Sequence, residues 1–133
     1  MCGWSLEFSI DVEHDRRLVR ARIYGIWKGA HADSYHHEFE EKAQGLFDKP
    51  WAKLVDLTAW KTSYPDTVQR IAAHMQWCHE HNNVLSIYVV NNPSTFRMLK
   101  EMITRGGTSQ AAQVVKTIAE ADEYLAKHWQ PEP

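Results

Sequence analysis

Length, composition and charge predict an ordinary soluble globular protein. The 133 residues suit one domain, which we assign to residues 1–133 with a frayed tail over residues 130–133. Hydrophobic residues make up 44% and charged residues 24%, which excludes a disordered chain, and two cysteines exclude a disulfide scaffold. A net charge of −2, with scattered lysines and arginines, predicts no nucleic-acid partner. No run approaches the roughly 20 apolar residues of a membrane span, so we expect a cytoplasmic protein.

The first part of the chain predicts a hairpin followed by a helix. Residues 4–13 alternate between apolar and polar, and residues 18–27 follow after a short polar turn, which is typical of two antiparallel strands. A helix is predicted next, with Asp33 in its first turn, where a negative charge suits the helix dipole. Its apolar stripe consists of Tyr35, Phe39, Ala43 and Leu46.

Strands and helices alternate in the rest of the chain. Residues 53–58 and 84–90 are apolar runs, which are typical of strands covered on both faces in a parallel sheet. Pro65 suits the first turn of the helix between them. A further helix is predicted between Asn92, as its N-cap, and the stop signal Gly106-Gly107.

A short strand and a final helix complete the predicted order. The strand covers residues 112–115, and the capping-box spacing of Thr117 and Glu120 begins the helix. Its inward-facing residues are expected to be Ala121, Tyr124, Leu125 and His128. The order ββαβαβαβα predicts an α/β sandwich with a five-stranded mixed sheet, the first strand antiparallel, and about four helices.

This order of elements resembles the SpoIIAA-like family, whose domains are described as STAS-like or SEC14-like. Four segments between Tyr24 and the last helix carry the resemblance: Tyr24-Gly25-Ile26-Trp27, Leu54-Val55-Asp56-Leu57-Thr58-Ala59-Trp60, Tyr88-Val89-Val90-Asn91-Asn92-Pro93-Ser94 and Thr117-Ile118-Ala119-Glu120-Ala121. They are fold-pattern motifs and none is a catalytic signature. The resemblance implies the architecture, with phosphorylation-controlled partner binding in the STAS branch and lipid carriage in the SEC14-like branch.

The chain departs from the regulatory STAS pattern at one turn. Those domains carry an Asp-Ser-Ser-Gly-like turn whose serine accepts phosphate, at the start of the helix that follows the third strand. The corresponding segment here, Lys61-Thr62-Ser63-Tyr64-Pro65-Asp66-Thr67, has no Ser-Gly pair. We therefore expect that partner binding does not depend on a phosphoserine of the STAS type.

The histidines, cysteines and carboxylates do not form a recognisable catalytic or metal site. His74 and Cys78 are four residues apart on one helix, but Cys78 also continues an apolar stripe, where a buried thiol behaves as a small hydrophobe. Glycine-rich phosphate loops, nucleophile elbows and zinc spacings are absent from the sequence. We predict no enzyme, no cofactor, no catalytic residue and no metal ligand. The rival is a small metalloenzyme using His74, Cys78 and a carboxylate.

Aromatic and polar residues are predicted to gather at the carboxyl edge of the sheet, where open α/β sheets bind ligands. Burying the Asp56 carboxylate inside an apolar strand costs free energy unless the group is hydrogen-bonded. We expect it either to accept backbone N–H groups or to anchor a ligand. In the alternative to a ligand site, Trp27 and Trp60 only pack against loops and Asn92 only caps a helix. The candidate ligand-binding residues are Trp27, Asp56, Thr58, Trp60, Tyr64, Asn91 and Asn92.

Two functions are compatible with this edge. The first is a non-catalytic binding or regulatory module for a small, partly apolar ligand. The second is a protein-interaction module of a bacterial-type signalling pathway, which uses the same edge as a docking surface. A homodimer is a further expectation, because the Leu6, Phe8 and Ile10 face and exposed tryptophans would supply an apolar patch.

Overall fold

Five strands form one mixed sheet in the computed structural model, which describes residues 7–131. The strands lie in chain order; β1 is antiparallel to β2, and every later strand is parallel to its neighbour. Their bounds are Phe8–Glu13 for β1, Leu18–Trp27 for β2, Trp51–Ser63 for β3, Asn83–Val89 for β4 and Ala112–Val115 for β5. This sheet confirms the predicted fold class and its antiparallel first strand.

Four helices cover the two faces of the sheet unequally. Their bounds are Gly29–Lys42 for α1, Pro65–Glu80 for α2, Pro93–Gly106 for α3 and Ile118–His128 for α4. The larger apolar cluster joins α1, α2 and α3 to one face of the sheet, and a smaller cluster joins α4 to the other face. Because side chains alternate along a strand, Lys53 and Val55 of β3 face α1–α3, whereas Leu54 faces α4.

The predicted helix ends are confirmed by their capping contacts. Asn92 Oδ1 accepts the backbone N–H of Ser94 at 2.8 Å, and Thr117 Oγ1 accepts the backbone N–H of Glu120 at 3.1 Å. Gly107 ends α3 in the left-handed conformation, with φ at 69°, which glycine adopts without strain. These side chains satisfy backbone donors that the first turns leave without a helical partner.

Two expectations about helix residues are wrong. Helix α1 begins at Gly29, so Asp33 lies beyond the first turn and pairs with Arg70 of α2 instead. The earlier start is stabilised by His31, whose Nδ1 accepts the backbone N–H of Lys28 at 3.0 Å. His128 does not face inward: it is exposed and lies against Tyr124, with ring centroids 4.3 Å apart.

The expected apolar patch of exposed tryptophans is absent from the described part of the chain. Trp27, Trp51 and Trp60 are buried, and the remaining described tryptophans are half-buried. Ile10 is also buried, and Phe8 packs against the larger cluster, while Leu6 lies outside the described residues. Burial of large aromatic rings away from water is favourable, so these side chains pack into the core and do not form a surface patch.

Strand β3 is longer than predicted and carries two register irregularities against β2. Arg22 pairs with Asp56 but Tyr24 pairs with Ala59, so β3 holds one extra residue between these pairs. An extra residue reverses which face the following side chains point to. Trp60 therefore lies on the α1–α3 face, although simple alternation would place it with Asp56 on the opposite face.

No helix within residues 7–131 combines the length and the apolar character needed to cross a membrane.

Candidate functional site

An internal cavity of about 40 Å³ lies between the sheet and helices α1–α3. We call it the core cavity. Its volume exceeds the roughly 10–15 Å³ that one ordered water needs. Carboxylates are absent from the described residues that line it: Ile23, Trp27, Tyr35, Lys53, Val55, Leu57, Trp60, Ser63, Ile71, His74, Met75, Tyr88, Leu99 and Met102.

Two of the predicted site residues, Trp27 and Trp60, form walls of the core cavity. Trp27 is only 1% exposed, and its Nε1 donates to the backbone oxygen of Tyr24 at 3.0 Å. Trp60 is 5% exposed, and its Nε1 donates to Ser63 Oγ at 3.0 Å. Since both indole N–H groups have acceptors, the rings are free to present apolar surface to the cavity.

Lys53 is the charged group of the core cavity. The residue is 2% exposed, and its Nζ lies 5.9 Å from the ring centroids of both Phe39 and Tyr88. These rings offer the ammonium a cation–π environment. Among the ion pairs of residues 7–131, none involves Lys53. A lysine buried without a carboxylate is unusual, because burial of a charge is expensive unless it is paired.

Cys78 and Tyr35, two polar side chains of this region, are neutral at physiological pH. Burial raises the pKa of Cys78 despite the opposing effect of Lys53, and burial raises the pKa of Tyr35 well above its usual value. Burial is the largest influence on the pKa of Lys53 and lowers it, but interactions with Cys78 and Tyr88 leave that pKa raised. Because a thiol attracts the ammonium fully only as an anion, Cys78 presents no full negative charge to Lys53 at neutral pH.

A short chain of side chains leads from the helix surface to Lys53. Half-buried His36 approaches buried His74, with 2.8 Å between their Nδ1 atoms, and His74 Nε2 lies 3.5 Å from Cys78 Sγ. Burial, then the charge of Lys53 and then His36 hold the pKa of His74 well below its usual value. His74 is therefore a neutral link whose two ring nitrogens both have partners.

The contacts of His74 and Cys78 bear on the two predicted alternatives for these residues, a metal site and a buried apolar stripe. Cys78 is buried in the larger cluster, as its place in the apolar stripe indicated. Within residues 7–131, no group of three or more histidines, cysteines and carboxylates is placed to hold a metal ion.

The lowered pKa of His74 predicts acid sensitivity of the fold. An unfolded histidine takes up a proton near about pH 6.5, whereas native His74 stays neutral to lower pH, facing Lys53 from β3, His36 from α1 and Cys78 on its own helix. The unfolded state then binds more protons, so stability falls as pH drops below about 6.5, by up to about 1.4 kcal/mol per pH unit. Urea unfolding at several pH values measures this slope.

A variant and a matched control test whether His74 causes the pH dependence of the unfolding free energy. His74→Gln keeps hydrogen-bonding groups but removes the titration, so we expect a shallower decline in unfolding free energy between about pH 6.5 and 5. His37 is exposed on α1, and His37→Gln should leave the slope unchanged. Equal slopes in wild type and His74→Gln would contradict the role given to His74.

Asp56 and Thr58 lie on the α4 face of the sheet, away from the core cavity. Asp56 is buried, and its Oδ1 accepts the backbone N–H of Thr58 at 2.9 Å and the Thr58 hydroxyl at 2.7 Å. Its Oδ2 pairs with Arg22 Nε at 3.1 Å. The structure thus gives Asp56 backbone and side-chain donors, and these contacts stabilise β3 where the extra residue enters the strand.

Loss of the Asp56 carboxylate is expected to destabilise this part of β3. Asp56→Ala removes the acceptor of two hydrogen bonds from Thr58 and the ion-pair partner of Arg22, so we expect unfolding free energy to fall by about 1.5–3 kcal/mol. Chemical denaturation measures the change. Asp11 is exposed and lines a surface pocket together with Asp56, so Asp11→Ala should change stability by less than about 0.5 kcal/mol. Equal effects of the two substitutions would show that the carboxylate does not hold the irregular strand.

The other three predicted site residues lie on the surface near the carboxyl edge. Tyr64 is 51% exposed at the N-cap of α2, and Lys28 Nζ lies 6.0 Å from its ring centroid. Asn91 is exposed, and Asn92 caps α3. Ligand contact by any of the seven predicted residues stays a prediction, but only Trp27 and Trp60 among them line the core cavity.

The sequence reasoning did not identify Lys53, Tyr35, His74 or Tyr88 as neighbours in one cavity. One signal was available for Lys53, which shares the odd-numbered face of β3 with Val55 and Leu57. A lysine in phase with two apolar residues of a covered strand points into the core. Tyr35 and His74 lie on different helices, and only the packing of α1 against α2 brings them together, with ring centroids 5.0 Å apart.

Comparisons with known proteins identify the fold. Neither a protein-family model nor a curated protein sequence matches the chain. An uncharacterised protein of the DUF3478 family with a SpoIIAA-like fold, from Shewanella loihica PV-4, matches with a TM-score of 0.67 at 11% identity, over 94% of this chain and 98% of that one. The unphosphorylated anti-sigma factor antagonist SpoIIAA matches with a TM-score of 0.61 at 9% identity, over 91% of this chain and 98% of that one. The chain therefore has a SpoIIAA-like fold, as the sequence resemblance implied.

Proposed function

We propose that this protein is a non-catalytic binding module that holds a small, partly apolar molecule in the core cavity. The observation that carries the proposal is a cavity walled by buried Trp27 and Trp60, with the buried cation of Lys53 among its lining. Apolar and aromatic walls with few polar groups are the usual composition of a small-molecule site. The cavity is small, so the molecule is small as well.

The core cavity lies next to a surface groove between α2 and α3, from which a small molecule would enter. Ser63 lines both the cavity and an open groove of about 560 Å³, whose other lining residues come from these two helices. Met75 and Met102 also line the cavity, and methionine side chains are unbranched and adaptable. Rotation of these side chains would widen the cavity without moving the sheet.

A regulatory role without catalysis suits both the site and the fold. The described lining of the cavity contains no carboxylate, and both ring nitrogens of its one histidine, His74, already have side-chain partners. One solved structure with this fold is named an anti-sigma factor antagonist, which is a regulatory protein by that name. Support for the proposal comes from these two observations together.

Native mass spectrometry of freshly purified protein tests the carrier function. We expect a co-purifying small molecule in wild type and its loss in Val55→Phe, because the added ring atoms would occupy the cavity that Val55 lines. Thr62→Ala, at an exposed position of the same strand, is the matched control and should retain the molecule. Cooperative thermal unfolding of Val55→Phe shows that the variant is folded. Wild-type protein that carries nothing and binds neither added butan-1-ol nor added butyrate would contradict the carrier function.

A second candidate is protein docking at the carboxyl edge, including self-association. Ile26 and Tyr64 are 52% and 51% exposed there, and the open groove between α2 and α3 lies beside them. Light scattering at two protein concentrations tests the homodimer. A concentration-dependent dimer that Ile26→Asp abolishes would support docking, and a monomer at both concentrations would remove the homodimer.

A further inference from the structure

The proposed function does not explain why Lys53 places a charged group inside the core cavity. Lys53 is the only lysine or arginine among the described lining, and His74 beside it is neutral. The walls around the ammonium are mostly apolar, and no carboxylate among the described lining offsets its charge. A bound anion would supply the missing countercharge.

We propose that the occupant is a short-chain monocarboxylate, whose carboxylate pairs with Lys53 Nζ and whose hydrocarbon part packs against Trp27 and Trp60. This inference rests on the proposed function, because it names the chemical class of the molecule held in the cavity. Val55 and Leu57 lie along β3 between the lysine and Trp60, so the lining offers a charged end and an apolar end.

The character of the lining favours a carboxylate over other ligands. A phosphate group would bring up to two negative charges, and no arginine lines the described cavity to accept it in the bidentate geometry that phosphate sites favour. A neutral hydrocarbon would leave the ammonium without an anion, and an amine would be repelled by it. Tyr88, which lines the cavity and interacts with Lys53, completes a polar end for a single carboxylate.

Titration with butyrate and butan-1-ol, followed by NMR of nitrogen-15-labelled protein, tests the inference. The two molecules share one hydrocarbon chain and differ in the charged group. We expect butyrate to bind about tenfold more tightly than butan-1-ol, as a charge-assisted contact is worth about one factor of ten or more. Butylamine, with the opposite charge, should not bind.

Variants of two lysines on β3 test whether the difference in affinity between butyrate and butan-1-ol arises in the core cavity. Lys53→Met should weaken butyrate binding at least about tenfold and change butan-1-ol binding by less than about threefold. Lys61 is exposed on the same strand, and Lys61→Met should bind both molecules as wild type does. Lys53→Gln serves as a second neutral variant with the same expected result if Lys53→Met does not fold.

The outcomes separate this inference from the proposed function. Butan-1-ol that binds as tightly as butyrate would overturn the carboxylate and retain the carrier. Butyrate binding that survives both Lys53 substitutions would also overturn it. Absence of binding by either molecule would overturn the carrier function and the inference together.

Discussion

Replacement of Lys53 by methionine raises the free energy of unfolding by about 1–4 kcal/mol, the gain commonly seen when buried ionic groups give way to well-packed apolar ones. The ammonium loses most of its water on folding, and its neighbours are the rings of Phe39 and Tyr88, with centroids 5.9 Å away, together with the thiol of Cys78 and the hydroxyl of Tyr88. Such cation–π contacts return about 0.5–2 kcal/mol, whereas the effective desolvation cost of one buried ion is several kcal/mol. Methionine keeps most of the side-chain volume without the charge.

Chemical denaturation of three proteins measures this effect. We expect the midpoint of urea unfolding to rise in Lys53→Met at an unchanged slope, which indicates a change in stability alone. The exposed Lys61 provides the control, and Lys61→Met should change stability by less than about 0.5 kcal/mol. A residue whose removal stabilises the fold is expected where a site needs a group that costs stability. A less stable Lys53→Met would contradict this account, since it would mean that the ammonium contributes to the fold.

Replacement of Trp27 by alanine lowers the free energy of unfolding by about 3–5 kcal/mol, the usual cost of removing a fully buried large aromatic ring. Trp27 is 1% exposed and makes edge-to-face contacts with Phe8 and Tyr35 at centroid distances of 5.9 and 5.5 Å. Its carbonyl also accepts the buried hydroxyl of Thr67 at 3.2 Å. The ring therefore joins β1, β2 and α1 to one another.

The neighbouring residue on β2 offers the matched control. Ile26 is 52% exposed and points to the other side of the strand, so Ile26→Ala should cost less than about 0.5 kcal/mol. Thermal or urea unfolding of both variants measures the difference. Similar losses for Trp27→Ala and Ile26→Ala would show that the end of β2 is not packed as described.

The fold was predictable because its boundaries have local chemical causes. Asn92 and Pro93 begin α3, Gly107 ends it, and Thr117 begins α4, each by contacts within a few residues. The apolar runs of β3 and β4 indicated a covered parallel sheet, and the short turn before β2 indicated the hairpin. Local signals of this kind need no knowledge of the tertiary structure.

The candidate site was only partly predictable, because a strand irregularity decides which side chains meet. Period-two alternation puts Asp56, Thr58 and Trp60 on one face, and the predicted site joins them. The extra residue in β3 moves Trp60 to the other face, where it meets Lys53 in the core cavity. Asp56 marks the place of this irregularity by accepting the N–H of Thr58, but that role is visible only in three dimensions.

Intermolecular NOEs from carbon-13-labelled butyrate are the most direct test of the core cavity as a carboxylate site. The account predicts NOEs from the butyrate methyl group to indole protons of Trp27 and Trp60, and their disappearance in Lys53→Met. Lys61→Met, with its exposed substitution, should give the same NOEs as wild type. NOEs confined to surface residues such as Tyr64 and Asn91, or none at saturating butyrate, would contradict it.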